Sequence, residues 1–198
     1  MSGERRTRAQ ALRAGATTSA VVGAGVLLRD WGRPDASAAA PSRAQDVRIL
    51  SFLLVLEEAQ SAFYDAALRS RALRGELLRF AQVVAPQEHD HVALLGRRLG
   101  GSARPAPRFE FRDATSSPAR FRRAAIDLEE ATAAAYIGQG ASLTRDLVAE
   151  AAGIVAVEAR HAAWIRDLAG ALPAPRPADP ARSPGDVLTD LRTKGYLR

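Results

Sequence analysis

Two of the three histidines in this 198-residue chain follow a glutamate by three positions. The pairs are Glu88 with His91 and Glu158 with His161. Residues three apart share one face of an α-helix, so each carboxylate and its imidazole can reach the same metal ion. With ten glutamates in the chain, chance would place two such pairs about one time in a hundred. The spacing therefore predicts metal ligands on two different helices.

A dimetal site in a helical bundle also needs one glutamate from each of two further helices. The chain offers two adjacent candidates on each, namely Glu57 and Glu58, and Glu129 and Glu130. Tyr64 and Tyr136 lie seven positions after the first glutamate of each pair, on the same helix face. This register favours the first glutamate of each pair and leaves the second facing solvent. The six predicted metal ligands are Glu57, Glu88, His91, Glu129, Glu158 and His161.

Apolar residues recurring at helical spacing predict that four long helices carry these ligands. Their expected ranges are about 46–73, 76–99, 118–140 and 144–172, with a short helix at 186–192. Residues 100–117 form a long connection. At up to about 3.3 Å per residue, it can climb the roughly 36 Å length of one such helix. The predicted fold is all-α: a ferritin-like four-helix bundle with a long crossover between helices 2 and 3, plus a short C-terminal helix.

The positions of the glutamates within each predicted hairpin agree with this arrangement. In an antiparallel hairpin, residues at the same height are equally far from the turn. The midpoint of Glu57 and Glu88 is 72.5, within the predicted turn at 72–75. The midpoint of Glu129 and Glu158 is 143.5, within the predicted turn at 142–144. Both hairpins are therefore expected to bring their ligands to one level.

The N-terminal segment has the pattern of an export signal. Arg5-Arg6 opens a basic stretch, residues 14–28 carry no charge, and a run of small residues follows at 36–40. The paired arginines resemble a twin-arginine signal, although Arg8 stands where a large apolar residue is usual. The alternative is an uncleaved anchor or a basic tail. We expect residues 1–40 to be signal and linker, 46–172 the bundle, and 173–198 a proline-rich tail. The mature protein is then exported, to the periplasm, cell envelope or exterior, without a stable membrane span.

Composition excludes several classes of function. The chain has no cysteine, so disulfides, thiolate metal sites and cysteine nucleophiles are excluded. The formal net charge is +6, but the first 38 residues hold six arginines against three acidic residues. The remainder is too weakly basic to predict a nucleic-acid partner.

The sequence resembles the ferritin-like domain family that includes bacterial and plant desiccation-related proteins, often found behind twin-arginine signals in bacteria. The similarity covers about residues 46–197, and Gln60 departs from it because relatives often have a glutamate there. The resemblance implies a four-helix bundle with a carboxylate-bridged metal pair, iron being the expected metal. It rests on Leu56-Glu57-x6-Tyr64, Glu88-x-x-His91, Leu128-Glu129-x6-Tyr136 and Val157-Glu158-Ala159-Arg160-His161-Ala162-Ala163.

Carboxylates and imidazoles suit two iron(II) ions, or manganese(II), and four carboxylates balance two divalent charges. We expect Glu57 and Glu129 to bind and bridge the metals. Glu88 with His91 and Glu158 with His161 would each cap one metal. Tyr64 and Tyr136 are expected to donate hydrogen bonds that orient the carboxylates, simple core packing being the alternative.

Two classes of function remain open from the sequence. The first is a di-iron oxidoreductase, similar to a ferroxidase or peroxidase, that oxidises iron(II) or reduces dioxygen or peroxide. The second is a stress- or desiccation-related structural or binding protein in which the metal site is structural or lost. A ferritin-type storage cage is less favoured, because four prolines precede the terminal helix. The protein partner expected is a second copy of the chain, in a homodimer.

Overall fold

The computed structural model describes residues 40–197. The predicted export signal, residues 1–39, and the last residue lie outside the described residues. Five α-helices make up most of the described chain, with a single 3₁₀ turn at Gly100–Ser102. They are α1 Arg43–Ser70, α2 Gly75–Leu99, α3 Pro118–Gly140, α4 Arg145–Leu168 and α5 Pro184–Thr193.

Serine caps begin three of the helices. Ser42, Ser117 and Ser183 each accept a hydrogen bond from a backbone N–H three residues ahead. This arrangement satisfies an N–H group that has no partner within the helix. Proline follows the cap directly in α3 and α5, where its fixed φ suits the first helical position.

Two helices end earlier than the periodicity predicts. Helix α1 stops at Ser70 rather than near residue 73, because Arg71 takes a left-handed conformation with φ 54°. Helix α4 stops at Leu168 rather than near residue 172, and Gly170 follows with φ 74°. In both cases the apolar pattern continues past the point where the backbone turns, so periodicity alone overestimates the length.

The helices form two antiparallel hairpins, α1 with α2 and α3 with α4. At one end of the bundle the buried carboxylate of Asp46, near the start of α1, accepts hydrogen bonds from the backbone N–H and hydroxyl of Thr144, the cap of α4. The connection from α2 to α3 climbs the bundle, and Glu110 N–H donates to the Tyr196 carbonyl near the C-terminus. The predicted all-α bundle with a long crossover is confirmed.

Aromatic side chains make up one part of the bundle core. Phe63 stacks on Phe121 with ring centroids 5.4 Å apart, and Phe80 meets Trp164 edge-on at 5.1 Å. The proline-rich tail then crosses α3, where Arg182 N–H donates to the Ala134 carbonyl. Among the described residues, no helix combines the length and apolar character needed to span a bilayer.

Candidate metal centre

The structure brings all six predicted ligands together in the middle of the bundle. Each of the four long helices contributes, α1 and α3 with one glutamate each and α2 and α4 with a glutamate and a histidine each. Their ligand atoms form two overlapping groups in which all atoms lie within 4.8 Å of one another. The groups are Glu57, Glu88, His91 and Glu158, and Glu88, Glu129, Glu158 and His161.

These side chains are buried. All four glutamates have no exposed surface, and His91 and His161 are 8% and 4% exposed. No lysine or arginine is buried among the described residues. Ionised carboxylates at such a position are very unfavourable unless cations or protons compensate their charge.

The distances within the cluster are those of groups that can share an ion. His91 Nδ1 lies 3.0 Å from Glu158 Oε1 and 3.3 Å from Glu57 Oε2. His161 Nδ1 lies 3.1 Å from Glu88 Oε1 and 3.5 Å from Glu129 Oε2. With metal–ligand bonds of about 2.0–2.2 Å, two ligands on opposite sides of one ion would be separated by about 4–4.4 Å.

The carboxylate oxygens and imidazole nitrogens that face the centre of the cluster have no hydrogen-bond partner among the described residues. They belong to all six predicted ligands, and Glu88 contributes both of its oxygens. Buried polar atoms are normally satisfied, so a group of this kind needs an explanation. Carboxylate and imidazole donors that converge in this way fit a pair of divalent cations such as iron(II) or manganese(II).

The glutamates of α2 and α4 are the ones positioned to be shared. Glu88 and Glu158 belong to both ligand groups, whereas Glu57 and Glu129 belong to one each. This geometry therefore favours Glu88 and Glu158 as the carboxylates that two metals would share, and bridging by Glu57 and Glu129 stays a prediction. Glu88 shows why: its Oε2 lies 3.6 Å from His91 Nδ1 while its Oε1 lies 3.1 Å from His161 Nδ1, so the carboxylate extends between the two groups.

The two tyrosines orient carboxylates across the bundle. Tyr64 on α1 donates to Glu129 Oε1 on α3, and Tyr136 on α3 donates to Glu57 Oε1 on α1 at 2.5 Å. Since position 57 meets 136 and position 64 meets 129, α1 and α3 run antiparallel. In each case the hydroxyl takes one carboxylate oxygen and leaves the other facing the cluster. The predicted hydrogen-bonding role of both tyrosines is present in the structure.

Two further side chains contact the predicted ligands, and a third contacts one of these two; none of these contacts was predicted from the sequence. The buried Gln60 donates through Nε2 to Glu158 Oε2 at 3.0 Å, and Thr132 Oγ1 donates to Gln60 Oε1 at 2.6 Å. Gln87 Oε1 lies 2.7 Å from His161 Nε2. With Nδ1 facing the carboxylates, Nε2–H donates to Gln87, which leaves Nδ1 free to bind metal. Gln60 and Thr132 each lie one turn after a predicted ligand, a spacing that could have pointed to them.

The cluster shifts the pKa of its own members. Burial raises the pKa of Glu57 to about 7, despite the opposing effect of His91. Burial opposes the charged form of His91, yet the nearby carboxylates of Glu158, Glu57 and Glu88 raise its pKa to about 12. In the absence of metal, bound protons thus compensate the carboxylate charge that metal ions would otherwise neutralise.

The same causes act in the other half of the cluster. Burial also raises the pKa of Glu129 well above its ordinary value. Burial opposes the charge of His161 as well, but Glu129 and Glu88 raise its pKa to about 10. Burial and the facing glutamates raise the pKa of Tyr64 and Tyr136 well above 10, so both hydroxyls keep the proton that they donate.

The neighbouring acidic and histidine side chains lie outside the cluster. His89 is exposed and pairs with Asp65 at 3.3 Å. Glu130 pairs with Arg166 at 2.5 Å near the tail. A cavity of about 720 Å³ lies against α1 and the crossover, lined by Phe52 and Arg104 among others, and no cluster residue lines it.

This bundle, with its long crossover and buried glutamate–histidine cluster, defines a ferritin-like protein with a candidate metal site. The family model of the ferritin-like domain matches residues 45–171 of the chain. The chain therefore belongs to the ferritin-like domain family, and the predicted ferritin-like fold is confirmed. No curated protein matches the chain.

Proposed function

We propose that this protein binds two iron ions in the centre of its bundle and acts as a redox protein that oxidises iron(II) or reduces dioxygen or peroxide. The observation that carries the proposal is the convergence of carboxylate and imidazole atoms that have no other partner. Four buried glutamates facing each other are costly in free energy unless cations compensate them. A purely structural core would be more stable with apolar side chains at these positions.

Iron fits both the ligands and the proposed chemistry. Oxygen and nitrogen donors suit iron(II), and the absence of cysteine in the chain excludes thiolate coordination. Two iron(II) ions held by these ligands would supply the two electrons that, with two protons, reduce one peroxide to two waters. The residues of the chain hold the carboxylates in place, keep both ligand imidazoles with Nδ1 inward, and exclude bulk water.

The burial of the cluster restricts what can reach it. All four glutamates are fully buried, and the side chain of His91 is 11% exposed against 5% for His161. The edge of His91 is thus the most open part of the site. A site this buried favours small reactants such as dioxygen and peroxide over bulky organic substrates.

Metal content and iron(II) oxidation test this proposal together. Protein loaded anaerobically with iron(II) should retain about two ions per chain and show an absorbance change on exposure to dioxygen or peroxide. The variants His91→Ala and Glu129→Gln should each bind less iron than the wild type. Their matched controls are His89→Ala and Glu130→Gln, which change the same residue types outside the cluster. Equal iron binding by all four variants, or none by the wild type, would contradict the proposal.

The second candidate is a stress-related structural protein in which the metal only stabilises the bundle. The observation that favours it is that the ligands come from all four long helices, so a bound ion would link both hairpins. The two candidates differ in one measurement. A structural site binds metal and raises the unfolding temperature without turnover of iron(II), dioxygen or peroxide.

Export to the cell envelope is part of the same proposal. Its support is the sequence of the N-terminal segment, with Arg5-Arg6, the uncharged run at 14–28 and the small residues at 36–40. A mature N-terminus near residue 40, found by mass spectrometry of protein from the cell envelope, would support it. Full-length protein confined to the cytoplasm would contradict it, and an Arg5-Arg6→Lys-Lys variant tests the twin-arginine route.

A further inference from the structure

The two halves of the metal centre have matching ligands but different supporting residues. Glu57, Glu88 and His91 in the first hairpin correspond to Glu129, Glu158 and His161 in the second. One turn after the first glutamate, the first hairpin has Gln60 and the second has Thr132. Gln60 is fully buried and Thr132 is 2% exposed. The symmetry of the ligands is therefore broken at this pair of positions.

Gln60 engages one of the two shared glutamates and not the other. Thr132 donates to Gln60 Oε1, and this bond turns the amide NH₂ toward Glu158, where it donates to Oε2. Glu88, the corresponding glutamate in the other half, has no hydrogen bond on either oxygen among the described residues. Glu158 therefore presents only Oε1 without a partner, whereas Glu88 presents both oxygens.

The free donor atoms consequently divide unequally between the two ligand groups. Glu158 Oε1 lies 3.0 Å from His91 Nδ1, so it belongs on the His91 side. His91 Nδ1 has three carboxylate oxygens without a hydrogen-bond partner within 3.6 Å, from Glu57, Glu88 and Glu158, whereas His161 Nδ1 has two within 3.5 Å, from Glu88 and Glu129. Glu158 belongs to the second group as well, but its Oε2 accepts a hydrogen bond from Gln60. The hydrogen bond of His161 to Gln87 orients that ring but adds no ligand atom.

On the basis of the dimetal site proposed above, we infer that Gln60 makes the two metal positions unequal in their affinity for an ion. The position beside Glu57 and His91 has four close donor atoms without a hydrogen-bond partner, so it binds its ion first and more tightly. The position beside Glu129 and His161 has three and shares Glu158, whose Oε2 is held by Gln60, so it binds its ion second and more weakly. Partners of metal ligands typically change affinity by about 10–100-fold, and we expect a difference of that size between the two dissociation constants.

Cobalt(II) titration of the metal-stripped full chain, followed by calorimetry and visible absorption, tests this inference. The wild type should bind two ions in separate steps about 10–100-fold apart in affinity. His161→Ala should keep the tighter step and lose the weaker one. His91→Ala should lose the tighter step. The reverse assignment, or two equal steps in the wild type, would overturn the inference and leave the dimetal site itself intact.

A pair of variants assigns the inequality to Gln60. Thr132→Ser keeps the hydroxyl that donates to Gln60 Oε1 and so keeps the amide donating to Glu158, and two separate steps should remain. The double variant Gln60→Leu, Thr132→Val removes both hydrogen-bonding partners together, which avoids a single unpaired buried group. Its two steps should merge, and persistence of the original separation would overturn the role of Gln60. A wild type that binds neither cobalt(II) nor iron(II) would instead contradict the proposed function.

Discussion

Protons must neutralise the carboxylate cluster when the protein is stripped of metal. This requirement fixes whether the stability of the metal-free protein rises or falls with pH. Burial raises the pKa of Glu57 from 4.5 to about 7, so the folded state favours its neutral form. This contribution to stability is fully present below pH 4.5 and is lost as the pH rises through about 7. The histidines act in the same direction, because a raised pKa favours their charged form in the fold.

We therefore predict that the metal-free protein loses stability as the pH rises. Despite burial, the surrounding carboxylates raise the pKa of His91 from 6.5 to about 12 and that of His161 to about 10. Their contribution is full below pH 6.5 and declines as the pH rises toward 10. Thermal unfolding in a chelator should show a falling midpoint between about pH 5 and 9. Glu57→Gln has no carboxylate to titrate, so its midpoint should fall less between about pH 5 and 7 than the wild type's. Parallel curves for the two proteins would contradict the role of Glu57.

The convergence of the six predicted ligands could be predicted from the sequence because each position is fixed by a local spacing. The Glu-x-x-His pairs share a helix face, and the tyrosines two turns away select Glu57 over Glu58 and Glu129 over Glu130. Gln60, Thr132 and Gln87 could not be assigned in this way. Their hydrogen bonds cross between helices, and an uncharged polar residue on a helix has no spacing that identifies its partner.

At the scale of the elements, the helix starts are predictable and two of the helix ends are not. The caps Ser117 and Ser183 precede prolines, a pattern visible in the sequence and present in the structure. The ends of α1 and α4 depend on where the backbone enters a left-handed conformation, at Arg71 and Gly170. Arginine has no special preference for that conformation, so the residue type at position 71 gives no signal for the end of α1.

The contact between α3 and the tail leads to a prediction at this scale. A Cβ at Gly138 would collide with the backbone of Arg182, whereas a Cβ at Gly153, exposed on α4, would meet nothing. Alanine should therefore stabilise the protein by about 0.5–1 kcal/mol at Gly153 through helix propensity. At Gly138 the collision should exceed that gain and destabilise by about 1–3 kcal/mol.

Thermal unfolding of Gly138→Ala and Gly153→Ala, with limited trypsin digestion, measures this difference. Displacement of the Arg182 backbone would also weaken the seating of α5, whose Val187 and Leu191 are buried in the core. Gly138→Ala should accordingly be cleaved faster at Arg182 than Gly153→Ala is. Equal stability and equal cleavage of the two variants would show that the tail does not pack closely on α3.

At the scale of the whole molecule, the cluster is the place where the two hairpins depend on each other. Each ligand group takes side chains from both hairpins, through Glu57 or Glu88 on one side and Glu129 or Glu158 on the other. A long-range arrangement of this kind could be predicted here because the internal repeat places the ligands at one height in both hairpins. The inequality between the halves could not, since it arises from one bond between Gln60 and Glu158.

Metal binding at this junction should therefore stabilise the entire bundle. An ion that binds only the folded state, at a free concentration of about 100 times its dissociation constant, adds about 2.7 kcal/mol. For a chain of this size that corresponds to a rise of roughly 5–10 °C in the unfolding midpoint. The rise should appear as one cooperative transition, because loss of either hairpin removes ligands from both metal positions. The measurement is a thermal melt with iron(II) under anaerobic conditions, against the same protein in a chelator.

The double variant His91→Ala, His161→Ala is the control for that melt, since it keeps all four glutamates and loses one ligand from each group. Its midpoint should respond little to iron(II), whatever its stability in the chelator. His89→Ala, which changes the exposed histidine, should respond like the wild type. A rise that persists undiminished in the double variant would mean that the ion binds elsewhere on the chain. A rise confined to proteins with both buried histidines links the stability of the bundle directly to its central cluster.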